Sequence, residues 1–245
     1  MSELRVKNSI PLGIAWLWVK SSFATFREKP IHFFAFAIAY VLFSLFPFFG
    51  AFLAVFVLAR IYSSADKIVK NENFDVALNL AEFFRRRNIL SYALFCMGFD
   101  LVAMSAISET LNSWGVNTSA MNPTTMSDPQ ILYLLVGVSI FRHVFFGISL
   151  VIVSFNPEVK ILQSLMLSWK FIIKNLVVLI FALFLLLPFL VIPLYLSMLL
   201  AVSVNNPIIF GFAAVIMLIV ILLFISVTAI FSYELYQDGF TNEEL

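Results

Sequence analysis

The sequence predicts an all-α polytopic membrane protein with six transmembrane helices. They are arranged as three hairpins, with in-plane amphipathic helices before the first, third and fifth. Three observations predict this. Hydrophobic residues make up 62% of the 245 positions and Asp, Glu, Lys and Arg only 12%, about half the ~25% charged content of soluble domains. Mean hydropathy is +1.02. Residues 88–111, 129–154, 176–204 and 207–233 are each apolar over the ~20 positions needed to cross ~30 Å of hydrocarbon. Finally, Lys and Arg gather in alternate connections, as they do on the cytoplasmic side of membrane proteins.

The opening segment, residues 1–29, carries charges but no apolar core followed by a small-residue cleavage site, so it reads as part of the fold and not as a cleavable signal. Trp16, Val19, Phe23 and Phe26 fall on one helical stripe. Such a helix lies in the interface plane, apolar face toward the acyl chains and basic residues toward anionic headgroups. Arg27 and Lys29 are its anchors.

Residues 30–70 form the first hairpin. The apolar run 31–59 is long for one span and short for two, but "FPFFG" at 46–50 divides it. Pro47 breaks helical hydrogen bonding and Gly50 permits a tight turn. The predicted helices are 30–46 and 48–67, the alternative being one kinked helix that puts the two termini on opposite sides of the membrane.

Residues 74–154 hold the second unit. Val76, Leu80, Phe83 and Phe84 make an amphipathic stripe, and Arg85, Arg86 and Arg87 anchor it ahead of the span 88–111. The polar segment 112–128 is an outward connector, and 129–154 returns. Residues 157–233 repeat the arrangement, with Ile161, Leu165, Trp169 and Ile172 as the stripe and Lys170 and Lys174 as anchors. In "NPEVK", "DPQIL" and "NNPII" an Asn or Asp stands before a proline, the pattern of a capped helix start. Pro188 and Pro193 interrupt the fifth span, freeing carbonyls that neighbours must satisfy. Residues 234–245 form an acidic tail that is expected to fray. The three-unit pattern reads either as internal repetition or as the common need of re-entry points for basic anchors.

Six spans collect every basic cluster on one face: Arg5 to Lys29, Arg60 to Arg87, and Lys160 to Lys174. Both termini are then cytoplasmic.

The stretches "GIAWLWVKSSFATFREKPIHFF", "FPFFGAFLAVFVLA" and "SLMLSWKFIIKN" resemble a group of uncharacterised bacterial inner-membrane proteins. The shared features are an F-x-x-x-P lead into the first span (Phe26 to Pro30), a P-x-x-G turn, and an S-x6-N lead into the fifth (Ser168 to Asn175). The resemblance implies a bacterial inner membrane and six helices, and carries no activity with it.

Asp100 stands in "MGFDLVAMS", and Arg142 with His143 in "SIFRHVFFG". Asp100 and Arg142 are each 12 residues from the cytoplasmic end of their predicted helices, about 18 Å deep at 1.5 Å per residue. A lone charge at the centre of a spanning helix costs about 2.5–3.5 kcal/mol on insertion scales. Asp100 and Arg142 are therefore expected to pair. The pair serves either as a register pin between two helices or, with His143 titrating near neutrality, as a proton- or ion-linked site.

Enzymatic motifs are missing: there is no H-E-x-x-H, G-x-G-x-x-G, P-loop or G-x-S-x-G. One cysteine, Cys96, excludes an internal disulfide and any cysteine-built metal site. A net charge of +1 gives no bulk pull toward nucleic acid. The expectation is a non-enzymatic protein without cofactor or metal that binds the lipid bilayer and a membrane-protein partner, as accessory subunit, assembly factor or immunity-type protein. The alternative is a small proton- or ion-linked transporter or channel built on Asp100, Arg142 and His143.

Overall fold

The computed structural model describes residues 3–7, 10–46, 49–73, 80–114, 146–203 and 207–243. Within them the chain is mostly helical. In order come β1 (Glu3–Val6), α1 (Gly13–Glu28), α2 (Pro30–Ser44), α3 (Gly50–Val69), α4 (Leu80–Phe84), α5 (Arg87–Ser113), α6 (Phe146–Phe155), α7 (Ile161–Lys174), α8 (Leu176–Ser203), α9 (Pro207–Gly239) and β2 (Phe240–Glu243). Three helices are long and apolar enough to cross a membrane: α5, the Leu176–Pro193 part of α8, and the Ile208–Gly239 part of α9. The apolar helices Pro30–Ser44 and Phe146–Phe155 are shorter.

The run around "FPFFG" holds two helices, not one kinked helix. α2 stops at Ser44, α3 starts at Gly50, and the two pack along each other. Their ends approach so closely that a Cβ on Gly50 would stand 2.9 Å from the Ser44 carbonyl oxygen. Glycine is needed here for space between two backbones. α2 opens with Pro30 in its first turn and no side-chain cap, as its sequence requires.

The core lies where α3 meets α5, α6 and α9. Small side chains, among them Ala59, Ala65, Ala93, Ser149, Ala229 and Ser232, are fully or nearly buried there and let the helix backbones approach. Several buried hydroxyls return their hydrogen bonds to carbonyls. Ser226 donates to Leu222 O at 2.9 Å and lies 3.1 Å from Phe33 O. Tyr92 donates to Phe146 O at 2.9 Å and also meets Ser149 Oγ.

At one end of the bundle the ends of the chain are bound together. β1 pairs antiparallel with β2, Glu3 opposite Glu243 and Val6 opposite Phe240. α9 runs six residues beyond Tyr233 before β2 begins. The frayed acidic tail expected from sequence is therefore corrected: 240–243 form a strand because the distant residues 3–6 supply its ladder partner. Phe240 is buried, stacked on Phe171 and Tyr236 at centroid distances of 5.3 and 5.7 Å.

The amphipathic helices bury part of the expected stripe, and part of the adjoining face, against other elements of the protein. α1 turns Ala15, Trp18, Val19, Ser22, Thr25 and Phe26 inward against α8 and α9, and leaves Trp16 52% exposed. α7 buries Ser164, Ser168, Phe171 and Ile172, while Trp169 is exposed. The pattern is common to both. Neighbouring elements take small residues such as Ser22 and Ser164 together with Trp18, Phe26 and Phe171, whereas Trp16 and Trp169 face outward. α7 also begins at Ile161, four residues later than the "NPEVK" signal suggests. Asn156 instead ends α6, donating to Ile152 O and to the Tyr236 hydroxyl, each at 2.9 Å. Of the stripe before α5, Phe83 is buried and Phe84 exposed. Val76 lies outside the described residues.

Candidate functional site

Asp100 lies on α5, half-buried, between exposed Leu101 and Val102 on one side and half-buried Phe99 on the other. Arg142 and His143, its expected partners, lie outside the described residues. The seven anchors Arg27, Lys29, Arg85, Arg86, Arg87, Lys170 and Lys174 are all exposed.

A deep charge that the sequence pattern misplaces is Arg60. Grouped by sequence with the loop cations, it sits inside α3 at 2% exposure. Phe56, Arg60 and Ser64 recur at four-residue intervals and are all buried, which puts the guanidinium on the inward stripe of the helix. The signal was present in the sequence, since position 60 falls seven residues before the predicted helix end at 67.

The described polar groups converge at the end where the strands pair. Trp18 Nε1 donates to Asp238 Oδ2 at 2.7 Å and Ser21 Oγ to Glu234 Oε1 at 2.8 Å, so α1 is tied to the last turns of α9. The Ile10 amide donates to Asn175 Oδ1 at 3.2 Å, while Asn175 Nδ2 donates to Phe171 O at 3.1 Å. Asn175 is 2% exposed and stands at the α7–α8 junction. The S-x6-N lead thus holds the segment before α1 as well as opening a helix. Asn88 Nδ2 donates to Val153 O at 2.5 Å, joining the first turn of α5 to the last of α6.

Two cavities open among these ties. The larger, about 650 Å³, is lined by Ser63, Asp66, Phe83, Arg86, Arg87 and Asn88 among others. The smaller, about 290 Å³, is lined by Asp66, Lys70, Phe155, Tyr236 and Phe240 among others. Asp66 and Phe155 belong to both. Asp66 is the hub: Oδ1 accepts from the Tyr233 hydroxyl and Oδ2 from Lys70 Nζ, each at 2.9 Å. That hydrogen bond to Asp66 holds the Lys70 ammonium above its ordinary range. No family model, curated protein or solved structure matches the chain. Function therefore rests on this geometry alone.

Arg86 spans the larger cavity's edge. Its Nη2 donates to Glu82 Oε1 at 2.9 Å, its Nη1 reaches Ser154 O at 3.5 Å, and its guanidinium carbon stands 5.2 Å from the Phe83 ring centre. Arg87 has no hydrogen-bond or ion-pair partner among the described residues. A third cavity, about 260 Å³, lies inside the helix bundle, where Tyr40, Tyr62, Tyr92 and Cys96 stand on otherwise mainly apolar walls. Among the described residues no group of His, Cys, Asp and Glu could hold a metal ion. The arrangement supplies cationic and hydrogen-bonding recognition at one end of the bundle.

Proposed function

We propose that this is a six-span protein of a bacterial inner membrane, with both termini cytoplasmic, that acts by binding a membrane-protein partner and not by catalysis. The observation that carries the binding reading is the division of roles between the two parts of the molecule. At the strand end Trp18 is tied to Asp238, Ser21 to Glu234 and Tyr233 to Asp66 in structural hydrogen bonds. The flanks of α8 and α9 are bare, with Val177, Phe184, Ile208, Phe210 and Phe212 each more than 60% exposed. A lipid-embedded surface of this kind is met by acyl chains or by another apolar helix, and dispersion contacts across it hold either one.

The pairing of β1 with β2 supports an even number of crossings, because strands joined by backbone hydrogen bonds stand on one side of a membrane. The exposed anchors near that end support the cytoplasmic assignment. Topology is checked by labelling single cysteines placed in the connections 115–128 and 204–206 of a Cys96→Ala background. Labelling of both from outside intact spheroplasts is expected, and protection of either overturns the six-span reading.

Partner binding is tested by crosslinking in membranes followed by affinity purification in mild detergent. A membrane protein recovered in fixed ratio, and lost on Phe184→Ala with Phe212→Ala, is the expected result. A second reading, an ion- or proton-linked transporter, is favoured by the cavity inside the bundle and by half-buried Asp100. Proton-coupled uptake in proteoliposomes, abolished by Asp100→Asn, would establish it.

A further inference from the structure

The larger cavity at the strand end has the makings of a ligand site. Its volume, about 650 Å³, falls inside the ~300–1,000 Å³ typical of small-ligand pockets. Ala59, Phe83 and Ser154 on its wall are buried, whereas Arg86 and Arg87 are exposed. The cavity is thus cationic at its rim and mixed within, where Ser63, Asp66, Asn88 and Ser154 alternate with Ala59, Phe83 and Phe155.

The local charge balance leaves cations over. Asp66 is engaged by Tyr233 and Lys70, and Glu82 by Arg86. The side chains of Arg87, of Arg85 two residues before it and of Lys67 on α3 have no hydrogen-bond or ion-pair partner among the described residues. A guanidinium presents paired N–H donors in a planar fork that suits a phosphate.

Side chains further along α5 distinguish a lipid phosphate from a free one. Leu94 and Leu101 stand seven and fourteen residues beyond Arg87, and are 50% and 41% exposed. Seven residues are close to two helical turns, so all three side chains share one face, with Leu94 about 10 Å below Arg87. A free anion has no use for such a track. A headgroup with acyl chains beneath it matches both ends, and basic pockets between helices at a cytoplasmic surface are suited to anionic headgroups.

We infer that the cleft between α3, α4, α5 and α6 binds the phosphate of an anionic phospholipid, gripped by Arg86 and Arg87, with its acyl chains on the Leu94–Leu101 face of α5. Such a site rests on the proposed membrane crossing of α5 and needs no protein partner.

The test uses the full chain in a mild neutral detergent, followed by thermal unfolding and native mass spectrometry. The probes are dioleoyl phosphatidylglycerol, dioleoyl phosphatidylcholine and sodium phosphate. One phosphatidylglycerol is expected to be retained and to raise Tm at a concentration at least tenfold below that of phosphatidylcholine. Arg87→Gln breaks no contact described in the fold and should therefore fold normally. It is expected to weaken the phosphatidylglycerol effect by about tenfold, the scale of one charge-assisted contact. Lys174→Gln, a distant anchor, should leave the effect intact. Equal responses to the two lipids, an unchanged Arg87→Gln, or an equal loss in Lys174→Gln would overturn the site. Stabilisation by sodium phosphate matching that by phosphatidylglycerol would overturn the lipid assignment.

Discussion

Two single residues at the strand end carry more than their size suggests. Asn175 satisfies the Ile10 amide and the Phe171 carbonyl from a fully enclosed position. Asn175→Ala leaves both groups without that partner, at a cost of about 1–3 kcal/mol for a buried group left unpaired. A lower midpoint of thermal unfolding in detergent is expected, with Asn175→Asp also impaired because the amide donor is lost. Gly239 faces the Phe171 ring, and a Cβ there would run into it. Phe171 is fully buried and stacked on Phe240, so the ring has no free space to enter. Gly239→Ala should destabilise by about 1–3 kcal/mol, the usual range for overpacking. Phe171→Leu in the same chain should restore part of the loss, and additive losses in the double variant would disprove the clash. Neither residue advertises this in the sequence. A glycine before a strand and an asparagine before a span read as local punctuation, whereas Phe171 and Ile10 are far from them along the chain.

Among the elements, the α2–α3 hairpin is the one whose local chemistry speaks most directly. Gly50→Val places branched carbon against the carbonyls of Ser44 and Phe43, which belong to backbone and cannot step aside. The two helices must separate, and a loss of about 1–3 kcal/mol or more is expected, read as a lower Tm and as faster proteolysis between residues 44 and 50. Helix extents were also legible. The helix expected at 88–111 is Arg87–Ser113, and that at 176–204 is Leu176–Ser203. Periodicity and length specify such elements because hydrocarbon sets them. Orientation of the amphipathic helices was not legible. An apolar stripe suits either lipid or a neighbouring helix, and only the tertiary neighbours of α1 and α7 decide that Ser22, Ser164 and Ser168 turn inward. Arg60 was missed for a related reason: its charge suggested a loop, while its place in the periodicity of α3 suggested an inward face, and the periodicity prevailed.

For the whole molecule, the strand end and the helical flanks divide the work. Hydrogen bonds between segments far apart in sequence organise the first, and apolar surface dominates the second. The Asp66 cluster joins α3 to α9, and Asn156 joins α6 to α9. Removing residues 240–243 should therefore loosen more than a tail. β1 would lose its ladder and Phe171 its stacked neighbour. Hydrogen exchange is expected to rise in residues 3–7 and 10–28, with the α2–α3 hairpin unchanged. Unaltered exchange across 3–28 would show that α1 is held by α8 and α9 alone.

The ladder between residues 3–6 and 240–243 also sets an order of events during biosynthesis. Among the described elements, translation delivers β1 before the helices and β2 after them. Until then β1 has exposed amide and carbonyl groups. The belt fastens only when the ribosome has passed Glu243. A released chain ending at residue 239 would hold its helices yet stay unbuckled, and a bulky fusion placed directly after the second strand would press on the clasp.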